Sequence, residues 1–176
     1  MEQEHLLHLY MGDGKGKTTA AMGLALRAIG QKRTVFITQF MKDGMSAEVS
    51  VLSKFENVAV GSITPMEKFL FQMNDEEKNQ IKTLWAKDLQ QLNEIICKNK
   101  PQMIIFDELA LAVYCEMIDE KDLFSLVDSS LKYGEVVLTG GKAPNSLIER
   151  ANYVSEIKKI KHPYDCGIIA REGIEY

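Results

Sequence analysis

The chain has 176 residues, 45% of them hydrophobic and 26% charged, with a formal net charge of -4. That length suits one domain with a sizeable core, and the acidic balance gives no electrostatic case for nucleic acid as a partner. The apolar runs are broken by charge before membrane-spanning length, and residues 1–5 have neither the basic nor the apolar part of a signal peptide. The expectation is a cytoplasmic protein with no membrane partner. Cys97, Cys115 and Cys166 are widely spaced with no C-x-x-C pair, the pattern of reduced thiols rather than of a disulfide frame or zinc site.

Leu6, Leu7 and Leu9 read as a first strand, and Ala20, Ala21, Leu24, Ala25 and Ala28 recur at helical spacing beyond it. Between them lies a glycine-rich loop. Gly12, Gly14 and Gly16 let the backbone curl so that successive N–H groups point into one concavity, a nest for anions. Lys17 adds a point charge for phosphates, Thr18 a hydroxyl suited to Mg²⁺, and the helix that follows the positive end of its dipole. The loop fits G-x-x-x-x-G-K-[ST] except at its first glycine, which falls on Met11, with Gly12 one place late. His5 and His8, three apart on the strand, project to opposite faces and are read as structural.

Residues 34–40, rich in β-branched and aromatic side chains, predict a second strand. It leads into Gln39 and Lys42, at the end where parallel α/β sheets meet their ligands. A short helix over 46–55, with Val49 and Leu52 on one side, and a short strand over 57–60 follow. Residues 61–73 show no period. The Phe69-Leu70-Phe71 cluster there fits either a ligand lid or a loop tucked against the core. Asn74 and Glu77 form a capping box for the longest helix, whose stripe of Ile81, Leu84, Trp85, Leu92, Ile95 and Ile96 runs to Cys97, with Trp85 as a packing anchor.

Residues 103–108 are an apolar strand ending in Asp107 and Glu108, the Walker B pattern, whose acid binds the metal directly or through water. Further helices are expected over 109–117 and from Asp119, the latter burying Leu123, Leu126, Val127 and Leu131. A strand over 135–139 runs into Thr139-Gly140-Gly141-Lys142 and a helix with Pro144 near its first position. A sixth strand over 153–157 precedes a basic loop (Lys158, Lys159, Lys161, His162) and a short apolar run over 167–170. Strands and helices alternate, so the predicted fold is α/β, one domain over 1–176. It would be a mostly parallel sheet flanked by helices on both faces, of P-loop NTPase (RecA-like) type.

The stretches GDGKGKTTAAMGLALRAIG, FITQF, IIFDEL, VVLTGGKAP and YVSEIKKIKHPYDCGIIAREGIEY together resemble the P-loop family of ATP:corrinoid adenosyltransferases. The resemblance spans nearly the whole chain and is most specific at the C-terminal end. It implies transfer of the 5′-deoxyadenosyl group of ATP to the Co(I) of a reduced corrinoid, cobalamin or a precursor such as cob(I)yrinic acid a,c-diamide, with release of triphosphate. It implies a triphosphate bound in reverse, with Mg²⁺, so that Lys17 and Thr18 face the leaving group. By motif, Lys17, Thr18 and Glu108 carry over as catalytic residues. Gly12, Asp13, Gly14, Lys15, Gly16 and Thr19 carry over as nucleotide binders, and Thr18, Glu108 and Asp107 as the metal site; Arg27 matches an arginine of the family's first helix and fits either a nucleotide binder or a solvent-facing charge. The family's aromatic F-x-W element, in the corrinoid-facing loop, has no match here beyond Phe69-Leu70-Phe71, which makes Phe69 and Phe71 the candidates for contact with the corrinoid. A homodimer and an electron-donating reductase or flavodoxin-like partner are implied as well. The family's T-G-R reads Thr139-Gly140-Gly141 here, with Lys142 one place later as a substitute charge. A nucleotide or corrinoid sensor with little turnover, and a P-loop ATPase of other purpose, remain open alternatives.

Overall fold

The computed structural model describes residues 5–42 and 46–175. Its parallel sheet comprises β1 (Leu7–Met11), β2 (Val35–Gln39), β3 (Val58–Gly61), β4 (Met103–Asp107), β5 (Glu135–Gly140) and β6 (Tyr153–Glu156) in the order β3-β2-β4-β5-β1-β6. The helices are α1 (Lys17–Gly30), α2 (Ala47–Leu52), α3 (Asp75–Asn99), α4 (Leu109–Tyr114), α5 (Glu120–Ser130) and α6 (Asn145–Arg150). One strand, β5, separates the loop-bearing β1 from the acid-bearing β4, and the arrangement is the α/β P-loop type expected from the sequence.

Both faces of the sheet are covered because the central strands β2, β4 and β5 carry continuous apolar runs before their polar C-terminal ends, and alternate residues serve opposite layers. Val35, Ile37, Met103, Ile105 and Val137 pack on Ala21, Met22, Ala25 and Ala28 of α1 and on Val49 and Leu52 of α2. Their neighbours Phe36, Ile104, Phe106, Val136 and Leu138 face the other layer, with Trp85, Leu92 and Ile96 of α3 and Leu123 and Val127 of α5. Ala21, Ala25 and Ala28 keep most of the buried face of α1 small, with Met22 and Ile29 as its larger buried side chains.

The long helix begins as predicted. Asn74 Oδ1 accepts the Glu77 N–H at 2.9 Å, and Glu77 Oε2 accepts the Asn74 N–H at 3.0 Å. Its buried stripe is Trp85, Leu89, Leu92 and Ile96, whereas Leu84 and Ile95 face outward. Each sits one position before a buried residue, Trp85 and Ile96, at the margin of the apolar stripe. Leu131 is half-buried, just past the end of α5.

The aperiodic stretch 61–73 does two things at once. Met66 is buried and Ile63, Leu70 and Met73 pack on the core, while the Trp85 indole N–H donates to the Thr64 carbonyl at 2.8 Å. Phe69 and Phe71 are left outside. The apolar run over 167–170 is exposed and pairs with no strand among the described residues. The two histidines are structural: His5 Nδ1 lies 2.9 Å from the Leu131 carbonyl oxygen, and His8 Nε2 lies 3.0 Å from Glu135 Oε2 with its ring stacked on Tyr153.

Trp85 is fully buried, meets Phe40 edge to face and fastens the 61–73 stretch. Trp85→Ala is expected to lower stability by about 3–5 kcal/mol in denaturant unfolding. A loss below about 1 kcal/mol would contradict its role as the anchor of this layer.

Candidate active site

The C-terminal ends of β1, β2, β4 and β5 lie side by side, and each contributes to one cluster. The loop after β1 enters α1 through Gly16, whose φ of 116° falls in the left-handed region that favours glycine. Beyond it, the N–H groups of the first turn of α1 have no intrahelical partner and are donors for an anion. Lys17 Nζ donates to the Gly14 carbonyl at 2.8 Å, which folds the ammonium over the loop.

Gly12 and Gly14 do a different job from the one their spacing suggests. The Gly14 N–H is taken by the Ile157 carbonyl at 2.8 Å, and a Cβ at Gly14 would lie 2.8 Å from that same oxygen. A Cβ on Gly12, whose φ is 114°, would also fall on the Ile157 carbonyl. These glycines admit the chain that follows β6.

Under the loop sits Asp107, with no exposed surface. Its Oδ1 accepts from Thr18 Oγ1 at 2.9 Å and Thr139 Oγ1 at 2.7 Å, and its Oδ2 accepts from Gln39 Nε2 at 2.9 Å and Lys42 Nζ at 2.7 Å. Burial by itself pushes this carboxyl up. The Lys42 charge and the hydrogen bonds from Lys42, Thr139 and Gln39 outweigh burial and hold it below the ordinary carboxylate range. Gln39 also orders the start of α2, accepting the Ser46 N–H at 2.9 Å.

Glu108 is arranged in the opposite way. It occupies the left-handed region at φ 60°, a conformation that costs a non-glycine residue of order 1–3 kcal/mol. Its N–H donates to Thr139 Oγ1 at 2.8 Å, yet its Oε2 is buried with no hydrogen-bond partner among the described residues. Burial, and then the Asp107 charge, push its carboxyl up, against the opposing pull of Lys17, Lys42 and the Gly141 N–H. An orphaned carboxylate oxygen in a strained residue fits a cation ligand. Thr18 also fits, because its proton is committed to Asp107 and its lone pairs are left over. Mg²⁺ takes one or two protein oxygens together with phosphate oxygens, and this donor set has that character. Asp107, with both oxygens engaged, fits the part of anchor rather than direct ligand.

The cluster thus unites Lys17, Thr18, Asp107 and Glu108. Arg27 is not part of it: it is exposed in the last turn of α1, roughly 15 Å along the helix from Lys17 at about 1.5 Å per residue. Lys15 and Thr19 are exposed on the loop and first turn. Asp13 turns away from the helix and accepts the Lys159 N–H at 2.9 Å. Lys142 sits 5.1 Å over the Tyr114 ring, its charge occupied there. Thr139 and the role of Lys42 are the residues that motif reading missed; the available signal was a polar side chain at each central strand end.

A family model described as ATP:corrinoid adenosyltransferase BtuR/CobO/CobP matches residues 3–176. The chain belongs to the ATP:corrinoid adenosyltransferase family. It is 29% identical to a corrinoid adenosyltransferase of Sinorhizobium sp over 177 residues, covering 99% of this chain and 82% of that one. To the corrinoid adenosyltransferase CobA of Salmonella typhimurium it is 27% identical over 182 residues, covering 99% and 87%. Among solved structures it aligns with the uncharacterized protein PH0321 of Pyrococcus horikoshii at a TM-score of 0.45 and 12% identity, covering 88% of this chain and 78% of that one.

In this adenosyltransferase-family chain, Lys42→Met leaves the buried Asp107 charge without its cation. The expected loss near neutral pH is about 3–5 kcal/mol of stability. Because the folded-state pKa of Asp107 is depressed, the Lys42 contribution is present above the ordinary aspartate range and lost as pH falls through the depressed value. Denaturant unfolding of both proteins across pH checks this: the gap should narrow in acid, and a gap that widens in acid contradicts it.

Proposed function

We propose that this chain transfers the 5′-deoxyadenosyl group of ATP to the Co(I) of a reduced corrinoid, releasing triphosphate, in cobalamin metabolism. The family match over residues 3–176 carries the reading. The convergence of loop, hydroxyl and orphaned carboxylate at one sheet edge supports it. Cobalt is the nucleophile. Its electron pair forms the Co–C bond to C5′ as the C5′–O5′ bond breaks, and the electrons of that bond leave with the triphosphate.

The protein therefore has to orient ATP and neutralise the departing charge. The first-turn N–H groups and Lys17 hold the triphosphate, bound in the reversed sense. Thr18 and Glu108 hold Mg²⁺, which supplies positive charge to the leaving group when bound. Asp107 fixes the Thr18 hydroxyl. Phe69 and Phe71 are 69% and 84% exposed, and their rings stack with centroids 5.6 Å apart and 7° between planes. They reach this arrangement through a 3₁₀ turn at Leu70–Gln72 rather than an extended segment. A flat apolar pair held out from the fold suits one face of a corrinoid, where it excludes the axial ligand and water and eases reduction of Co(II). The chain works as a cytoplasmic homodimer supplied with electrons by a reductase or flavodoxin-like protein, as the family resemblance implies.

Mixing the protein with ATP, Mg²⁺ and chemically reduced corrinoid tests the reading. A light-sensitive Co–C spectrum with triphosphate as the phosphorus product is expected; ADP would indicate an ATPase, and ligand binding with no product a sensor. Lys17→Ala should weaken ATP binding at least about tenfold, the scale of a charge-assisted phosphate contact worth roughly 1.5–3 kcal/mol. Near-normal turnover would remove Lys17 from the site. Replacing Phe69 and Phe71 together with Ala should shift stability by no more than about 0.5 kcal/mol, as for exposed positions, while abolishing Co(II)-to-Co(I) conversion. A marked fall in stability with conversion intact would assign the rings to packing instead.

A further inference from the structure

The chain beyond β6 is the part the core does not need. Among the described residues none after Leu147 is buried, and segments with so little packing ordinarily fray. Yet residues 157–159 are fastened to the end of β1 and to the phosphate loop by three hydrogen bonds. The Ile157 N–H donates to the Met11 carbonyl at 2.7 Å, the Gly14 N–H to the Ile157 carbonyl at 2.8 Å, and the Lys159 N–H to Asp13 Oδ1 at 2.9 Å. The first two carry the β1–β6 pairing past the ends of the strands and onto the loop. They also account for the displaced glycine of the motif, because Gly12 and Gly14 are the positions where the Ile157 backbone leaves no room for a Cβ.

Asp13 is the odd member of such a loop. A carboxylate facing a bound polyphosphate would repel it. Here the side chain is turned to the tail, and Lys159 in turn pairs with Asp165 at 3.1 Å to hold the segment on its outer side.

We infer that residues 157–159 form a strap that sets the conformation of the phosphate loop for triphosphate binding, and that Asp13 is the positioning residue through which it acts. Asp13 holds the strap and does not touch the phosphates. This rests on the nucleotide-binding reading of the loop and adds to it a part of the chain that the P-loop motif does not include.

Calorimetric titration of the full chain with Mg²⁺–triphosphate, and separately with MgATP, tests the strap without any corrinoid. Asp13→Ala should weaken both ligands roughly five- to tenfold, at the lower end of typical coupling between sites, with the melting temperature unchanged. Asp13→Asn keeps the Oδ1 acceptor and should bind like the wild type. Lys159→Pro removes the donor from the other side, and the double variant Asp13→Ala/Lys159→Pro should bind no worse than the weaker single one. Wild-type affinity in Asp13→Ala, equal losses in Asp13→Asn and Asp13→Ala, or additive losses in the double variant would each overturn the strap. A wild-type chain that binds neither ligand would overturn the nucleotide reading together with it.

Discussion

The interaction on which the site depends is the set of hydrogen bonds converging on the buried carboxylate of Asp107. Its partners come from the start of α1 (Thr18), the end of β5 (Thr139), the end of β2 (Gln39) and the segment that follows β2 (Lys42). One side chain therefore sets the spacing of four elements at the edge where the strands end. An ionised group without solvent contact is tolerable only when its acceptor sites are filled and a countercharge is close, and both conditions are met here. The consequence for Thr18 is directional: its proton points down to Asp107, so its lone pairs point away from the sheet.

Immediately next along the chain, Glu108 reverses this logic. Where Asp107 has its oxygens fully engaged, Glu108 has a buried oxygen with no partner and a backbone in the left-handed region. Unfilled polar groups and strained φ values are tolerated in folded proteins chiefly where a ligand makes use of them. Adjacent acids with opposite surroundings thus suit different parts, Asp107 that of an anchor and Glu108, in the function we propose, that of a cation ligand. Thr139 links the two, donating to Asp107 and accepting from the Glu108 N–H, so a shift in one residue is felt by the other.

Much of this was legible in the sequence because it follows from local chemistry. The loop, Lys17 and Thr18 are contiguous, the acids end an apolar strand, and parallel β/α alternation brings strand ends together. The capping box at Asn74 was equally local. What escaped the sequence depends on distance through space. A backbone bond from Gly14 to Ile157 leaves no signature in side-chain identity, so the spacing of the glycines points to an anion nest alone. Helical spacing put Arg27 on α1 but says nothing of its separation from the loop along the axis. Leu84 and Ile95 fit a helical period yet fall outside the face that meets the sheet. The Phe69 and Phe71 rings stack through a 3₁₀ turn that the irregular sequence around Pro65 does not announce.

In the reaction we propose, the bond broken in ATP is C5′–O5′, and the site serves a departing triphosphate rather than attack at phosphorus. ATP carrying ¹⁸O at the 5′ bridging position separates the two by mass. Incubated with Mg²⁺ and reduced corrinoid, the label should appear entirely in inorganic triphosphate, because O5′ leaves with the phosphates when cobalt attacks carbon. Label retained in ADP or AMP would mean cleavage at phosphorus and would rule that reaction out.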